Sequence, residues 1–389
     1  MKWLFGIVVS LQLCFANEHI EFRGDIGIKT ISYNDNKNDL LSVGKSIVTF
    51  KKELFELHTE VDFFYSQKYK DKKEVYFNEL YMTWHDDMYA IKIGKQLTFW
   101  GELEGYNITD VINPKNSMLD IFDKSEKKGV WALMVNAFEE NKNVELGIKV
   151  HEEDNKYVDD TSSYYFLPLA YTSNLQIKNR YSPTVYLKYS FLTDESIESE
   201  SSIIIQKGYD NKRYFAPISE HKMAQFAYNA NKVMFLSNIL YQDIFFKFEA
   251  AYTDVLDESK MSDYRQLGVG FEKGFYDING IDITLYTEYY YYDYLNNDKP
   301  KYVDISELYD NDIFMALRFT LNDTRDSELK LGFLKDIKNG ENITKVEIKS
   351  RLADTMVFIA EGLHFSKQFK TYSKLTNHTR MIFGIKYFF

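Results

Sequence analysis

The chain has 389 residues, 45% of them hydrophobic and 17% aromatic, with 31 Tyr and 30 Phe against 18 Gly, five Pro and one Cys. That aromatic supply argues against disorder, the single cysteine excludes a disulfide scaffold and a cysteine-ligated zinc or iron–sulfur centre, and the glycine content excludes a collagen-like repeat. A formal net charge of −11 argues against a nucleic-acid partner, because neutralising phosphates requires a basic face.

At the N-terminus Lys2 opens a short positive segment, Trp3 to Phe15 is almost wholly apolar, and Cys14-Phe15-Ala16 approximates the small-x-small pattern of a signal-peptidase site. Residues 1–16 are expected to be a cleaved signal peptide and 17–389 a single exported domain. The apolar run is too short to cross ~30 Å of hydrocarbon as a helix. Leu13 is too bulky before Cys14 for a lipoprotein signal. No later stretch approaches the roughly 18 consecutive apolar residues of a membrane helix.

From Ile20 onward, apolar residues recur at every second position. Phe55, Leu57, Val61, Phe63 and Tyr65 alternate with Glu56, His58, Glu60 and Asp62. Ile283, Leu285 and Tyr289 are set against Asp282, Thr284 and Glu288, and Met381, Phe383, Ile385, Tyr387 and Phe389 against Arg380, Gly384 and Lys386. About eighteen strands are predicted, near 22–33, 42–51, 54–66, 74–84, 88–99, 129–138, 143–151, 183–192, 202–209, 223–238, 243–253, 264–275, 279–292, 311–321, 326–336, 342–351, 354–365 and 379–389.

The odd-numbered connections are mostly long and polar (Asn34 to Leu41, Trp100 to Lys128, Glu152 to Ser182, Asp254 to Asp263, Asp293 to Asp310, Ser366 to His378), and the even-numbered ones tight, as at Lys52-Glu53 and His85-Asp86-Asp87. The prolines fall in predicted loops or at a strand start, where no ladder bond is lost. Eighteen strands of about 11 residues use roughly 200 positions, leaving enough for nine long loops and eight turns. This predicts an all-β fold, a transmembrane antiparallel up-and-down β-barrel of about 18 strands (16–18) with long extracellular loops and short periplasmic turns. A soluble sandwich or propeller would also alternate, but it would hide its aromatics and show no one-sided loops. Tyr65, Trp84, Tyr89, Phe99, Tyr189, Phe191, Tyr252, Tyr289, Tyr291, Tyr387 and Phe389 lie near strand ends, as aromatic girdles require.

The ending Lys386-Tyr387-Phe388-Phe389 resembles the signal read by the outer-membrane barrel assembly machinery of Gram-negative bacteria, which would make Tyr387 and Phe389 its recognition residues. A second segment is more specific: Ile93-Gly94-Lys95-Gln96, then Phe99-Trp100-Gly101, then Thr109-Asp110-Val111-Ile112-Asn113-Pro114, preceded by Phe77-Asn78-Glu79-Leu80-Tyr81. It is similar to a group of porin-like proteobacterial outer-membrane proteins sharing a "GxQ, WG, D-x-[IL]-N-P" pattern over about forty residues. The resemblance implies a porin-type fold and supplies no catalytic residue.

Charges on lipid-facing positions would cost a few kcal/mol each near the midplane, so strand charges belong in the lumen. Parity places Glu56, Glu60, Asp62 and Glu79 there on the early strands. On the C-terminal strands it places Arg318, Lys330, Lys345, Lys349, Arg351, Arg380 and Lys386, with Glu328 and Glu347 among them. Acids on one wall and bases on another would set a field across a pore; the alternative is that these charges merely pair for stability. The loop 100–128 carries Glu102, Glu104, Asp110, Asp120 and Asp123 with apolar Leu103, Tyr106, Ile108, Val111, Ile112, Met118, Leu119, Ile121 and Phe122. So apolar a loop is expected to pack back, into the barrel as a constriction or over its mouth as a cap.

Enzyme readings find no support. The seven His show no ligand-spaced pair, so a metal site would have to be assembled across strands without a visible motif. There is no G-x-S-x-G elbow and no P-loop. No cofactor and no metal is assigned. The chain reads as an outer-membrane porin passing small hydrophilic or charged solutes by passive diffusion. Its selectivity would come from Glu102, Glu104 and Asp110 on the acidic side and Arg318, Lys345, Lys349, Arg351 and Arg380 on the basic side. Expected partners are outer-membrane lipid and lipopolysaccharide, small solutes, the assembly machinery during biogenesis and, where a flat apolar patch on the outer wall permits, copies of itself as in a trimer. The alternatives are a substrate-specific transporter for apolar or amphiphilic compounds, with an occluded aromatic-lined barrel, or a surface adhesin using the loop Glu152 to Ser182 with Tyr164-Tyr165-Phe166.

Overall fold

The computed structural model describes residues 19–34, 37–69, 73–117, 124, 126–157, 162, 165, 167–194, 197–256, 261–295, 303–304, 309–366 and 379–389. The signal segment 1–16, the loop residues Met118 to Asp123, Tyr164 and Phe166 lie outside them. Among the described residues, the alternating segments form an 18-stranded antiparallel sheet. Its strands are β1 (Ile20–Tyr33), β2 (Asn38–Lys52), β3 (Phe55–Ser66), β4 (Lys73–His85), β5 (Tyr89–Gln96), β6 (Val130–Glu139), β7 (Lys142–Lys149), β8 (Thr184–Asp194) and β9 (Glu198–Tyr209). The second half is β10 (Asn229–Tyr241), β11 (Ile244–Val255), β12 (Tyr264–Ile278), β13 (Ile281–Tyr294), β14 (Asn311–Thr320), β15 (Glu328–Asp336), β16 (Asn342–Ala353), β17 (Met356–Phe365) and β18 (Arg380–Phe388). Each strand pairs with its sequence neighbour. The sheet closes by pairing β1 with β18, from Asp25 opposite Phe388 to Tyr33 opposite Arg380, so no edge is left with unpaired backbone groups in lipid.

The pattern of exposure settles which face is which. On β3 the apolar Phe55, Leu57 and Tyr65 are half exposed while Glu60 and Asp62 are 5% and 8% exposed. A water-soluble sheet would do the reverse; a barrel in lipid turns its apolar row outward and its charges inward. At the C-terminus Tyr387 and Phe389 stack on the outer surface (6.3 Å between centroids), and Phe22 leans on Phe389. Gly24 leaves the space that the Phe389 ring occupies, since a Cβ there would stand 2.8 Å from it.

The short turns obey hairpin chemistry. Gln242 and Asp243 form a two-residue link between β10 and β11 with φ of 48° and 60°, the handedness that matches strand twist. The long connections lie at the other end and carry structure of their own. Asn116–Ser117 pairs in parallel with Lys156–Tyr157. Ala170–Gln176, Lys222–Phe226, Tyr214–Ser219 and Val303–Asp304 form a four-stranded sheet across this end. The segment 223–238, expected as one strand, is therefore two. The chain leaves the wall before Asn229 because Tyr228 turns its hydroxyl to the buried carboxylate of Asp210, 2.9 Å away. Pro217, expected in a loop, lies in the short strand Tyr214–Ser219, where the ladder shifts register.

These loops bring a hydrophobic core inside the barrel mouth. Trp100, Leu103, Val111, Ile112, Tyr157 and Phe215 are buried in one cluster, and Tyr157 meets Phe215 edge-on at 5.0 Å. Each such side chain contributes roughly 1.5–3 kcal/mol by leaving water, which anchors the loops in the lumen. Tyr165, in the loop expected to serve as an adhesive arm, is buried in the same cluster.

Candidate functional site

The site grows from the neck of the loop 97–129. Asn113 accepts from the Thr98 amide (2.7 Å) and donates to the carbonyls of Gln96 (3.2 Å) and Lys128 (2.9 Å). Gln96, fully buried, donates to Ala132 O. On β4, a register shift at the Glu60–Glu79 pair turns both Asn78 and Glu79 inward; Asn78 accepts from the Gly129 amide at 3.0 Å and Glu79 from the Leu97 amide at 2.8 Å. The residues that carried the porin-like resemblance thus fasten both ends of one loop. Gly101 belongs to the same device: its φ is +143°, and the Asn107 side chain fills the place of a Cβ at 2.4 Å.

From this neck the loop runs across the lumen to strands five to eight places away around the ring. There it meets two carboxylates. Glu249 of β11 accepts from the amides of Glu102 (2.7 Å), Leu103 (3.1 Å), Ile108 (2.6 Å) and Thr109 (3.0 Å) and from the Thr109 hydroxyl. Glu288 of β13 accepts from the amides of Glu104 (2.6 Å) and Gly105 (2.9 Å), and the Tyr290 hydroxyl from that of Tyr106 (2.8 Å). Charge-assisted bonds of this kind are worth about 1.5–3 kcal/mol each. Leu103 and Ile108 close against Gly268 of β12, which has no side chain to hold them off.

What remains open beside the loop is a cavity of about 200 Å³ between Glu104-Gly105 and the wall from β13 to β17. Arg318, Lys330 and Lys345 line it, with Glu104 and Glu347 among them. Arg318 reaches Thr284 at 3.4 Å and lies over the Tyr286 ring. Lys345 is 3.7 Å from Glu361 and 3.9 Å from Glu347, and Glu104 is 3.5 Å from Lys124. Bases and acids are interleaved here, so the picture of one acidic and one basic wall is too simple.

The expected site residues separate accordingly. Glu104, Arg318 and Lys345 come together around the cavity. Glu102 faces Asn238, Lys247, Lys188 and Glu200 on the other side of the loop. Asp110 does not face the basic wall: it is buried and ion-paired to Lys127 of its own loop, because the loop's apolar flank sinks into the core at that point. Burial pushes its carboxyl above, and the Lys127 ammonium below, their ordinary values. Lys349 stands opposite Glu328 towards the periplasmic end. Arg351 pairs with Asp326 at the rim (2.7 Å), and Arg380 is buried at the far end of β18.

Sequence reasoning missed the docking carboxylates Glu249 and Glu288, and a buried ion cluster under the outer loops. In that cluster Glu152 is 2.6 Å from Lys149 and 2.7 Å from Arg213, and Asp210 is 2.7 Å from Lys232. Inward parity marks the strand members of this set, but nothing in the sequence names their loop partners.

The fold is that of an outer-membrane β-barrel, and this places the chain in the outer membrane. No protein family and no curated protein matches its sequence. Solved structures do match its fold. OccD3 (OpdP) of Pseudomonas aeruginosa is similar at 10% identity and TM-score 0.53, over 96% of this chain and 91% of that one. OccAB3 of Acinetobacter baumannii is similar at 9% identity and TM-score 0.54, over 95% and 98%. Wzi of Escherichia coli, a carbohydrate-binding barrel involved in group 1 capsule assembly, is similar at 10% identity and TM-score 0.54, over 97% and 86%. Likenesses this remote in sequence establish the architecture, a porin-like barrel, and leave the activity to the site.

Proposed function

We propose that the chain is a narrow outer-membrane channel for small hydrophilic solutes, with charged solutes favoured. The observation that carries this reading is the loop 97–129, clamped at its neck and docked on Glu249 and Glu288, which leaves beside it a cavity walled by Glu104, Arg318, Lys330 and Lys345. Held charges in a constricted, low-dielectric lumen replace part of an ion's hydration and act most strongly on charged solutes. The apolar core under the outer loops narrows the mouth, which favours a restrictive channel over a wide sieve.

The test is single-channel recording of the purified, refolded protein in a planar bilayer under a salt gradient. Small, stable ohmic steps with a non-zero reversal potential support the reading. The same packed mouth favours a second one, a closed barrel that binds its ligand from outside. Silence from folded protein, with saturable binding of an oligosaccharide or amphiphile, would support that reading and overturn the first.

A further inference from the structure

Away from the cavity, β3 and β4 bring His58, Glu60 and Glu79 together, one ligand atom from each lying within 4.8 Å of the others. His58 and Glu60 are successive inward positions of β3, and Glu79 stands opposite Glu60 in the ladder. The neighbours occupy one half of each group. His58 Nδ1 is 3.1 Å from the Thr49 hydroxyl. One oxygen of Glu60 accepts from Lys45 (2.6 Å) and Asn78 (3.1 Å), and one oxygen of Glu79 from the Leu97 amide.

The other halves of His58 and Glu79 converge. His58 is 7% exposed, and its Nε2 is buried without a hydrogen-bond partner, 3.7 Å from the second oxygen of Glu79. That is too long for a hydrogen bond. Two ligands each ~2.1 Å from a tetrahedral ion lie ~3.4 Å apart, so the separation suits an ion between them. Tyr81 stacks on the imidazole at 4.8 Å and fixes its plane. Glu56, Glu60, Asp62 and Glu79 outnumber Lys45, Lys92 and Arg23 around the site, a balance that favours a cation.

We propose that His58 Nε2, Glu60 and Glu79 bind a divalent transition metal of the zinc type, with a position left for a lumen water. A nitrogen donor with two carboxylates suits zinc better than calcium or magnesium, which prefer more oxygens. Thr49 is the positioning residue: accepting from Nδ1–H holds the tautomer that frees Nε2. Because Glu79 also holds the Leu97 amide, the ion would clasp the root of the loop 97–129 to the wall.

The test uses the refolded full chain, stripped with a chelator and dialysed against Zn²⁺, with bound metal measured by emission spectroscopy. One zinc per chain is expected. His58→Ala should bind about 100-fold more weakly or worse, and Thr49→Val about 10- to 100-fold more weakly with Thr49→Ser restoring affinity, each with unchanged heat-modifiable mobility. No zinc retained by the unaltered chain, or full affinity in His58→Ala, overturns the proposal. Should His58→Ala not fold, Co²⁺ in the unaltered protein decides: intense four-coordinate visible bands support the site, and their absence at saturation overturns it.

Discussion

Thr109 gives both its backbone N–H and its hydroxyl to one oxygen of Glu249, at 3.0 and 3.1 Å, across 140 residues of chain. Three further amides, from Glu102, Leu103 and Ile108, share the same carboxylate. Glu249→Ala would orphan all of these donors, each at about 1–3 kcal/mol if it stays buried, so the loop should leave the wall instead. The expected result is a larger and noisier single-channel conductance with the barrel's heat-modifiable mobility unchanged. Glu249→Gln, which keeps an acceptor but loses the charge, should fall between. Wild-type conductance in Glu249→Ala would show that the docked loop does not set the passage.

Selectivity should follow the cavity-lining bases and not those at the rim. Arg318→Glu and Lys345→Glu each reverse a charge beside Glu104, and the reversal potential under a salt gradient should move towards cation preference. Arg351 is half exposed and already paired with Asp326. At 0.1 M salt, water screens it over about 10 Å. Arg351→Glu should therefore leave the reversal potential nearly unmoved, and an equal shift from all three would show that the rim sets selectivity as much as the cavity does.

The barrel was legible because alternation in each strand is imposed by lipid on one side and water on the other, and that constraint acts residue by residue. The strand boundaries missed the break before Asn229 because Lys222–Phe226 has a strand's local pattern while its partners are not wall strands: Tyr214–Ser219 lies earlier in the same connection and Ala170–Gln176 in another loop. The site was half legible. Apolar Leu103, Ile108 and Val111 revealed that the loop packs back, without deciding between the lumen and the mouth, and the parity rule put Arg318 and Lys345 in the lumen. Asp110 was misplaced because an acidic residue in an apolar loop looks the same whether it faces water or a buried lysine. Glu249 went unnoticed because its partners are backbone amides, which no side-chain pattern announces.

The Asp110–Lys127 pair should cost more than it gives. Burial pushes Asp110 above its ordinary value and Lys127 below its own, both towards the neutral forms, as desolvation of an ion pair requires. Asp110→Asn, which strands the lysine, should destabilise the docked loop by about 3–5 kcal/mol and raise the rate of tryptic cleavage within 97–129. The double substitution Asp110→Leu with Lys127→Met should restore protection to the original level or better. A double variant cut as fast as the single one would mean that the pair has a role that apolar packing does not replace.

Asp210 gives the opposite sign. Burial alone would raise its carboxyl, but Lys232 and Lys212 and the Tyr264 hydroxyl outweigh that and bring it down to about 2 from an ordinary 3.8. The Asp210 carboxylate accepts from Tyr264 (2.6 Å), Tyr228 (2.9 Å) and the Lys212 amide (2.9 Å). A folded-state value below the unfolded one means that the stabilisation, about 2 kcal/mol, is complete above pH ~4 and is lost as pH falls through about 2. Pepsin, active across this window, supplies the measurement. Segment 210–228 should resist cleavage at about pH 4 and become susceptible near pH 2, whereas Asp210→Asn should be cut at both. Equal cleavage of the unaltered chain at the two pH values would remove Asp210 as the group that holds the loop in place.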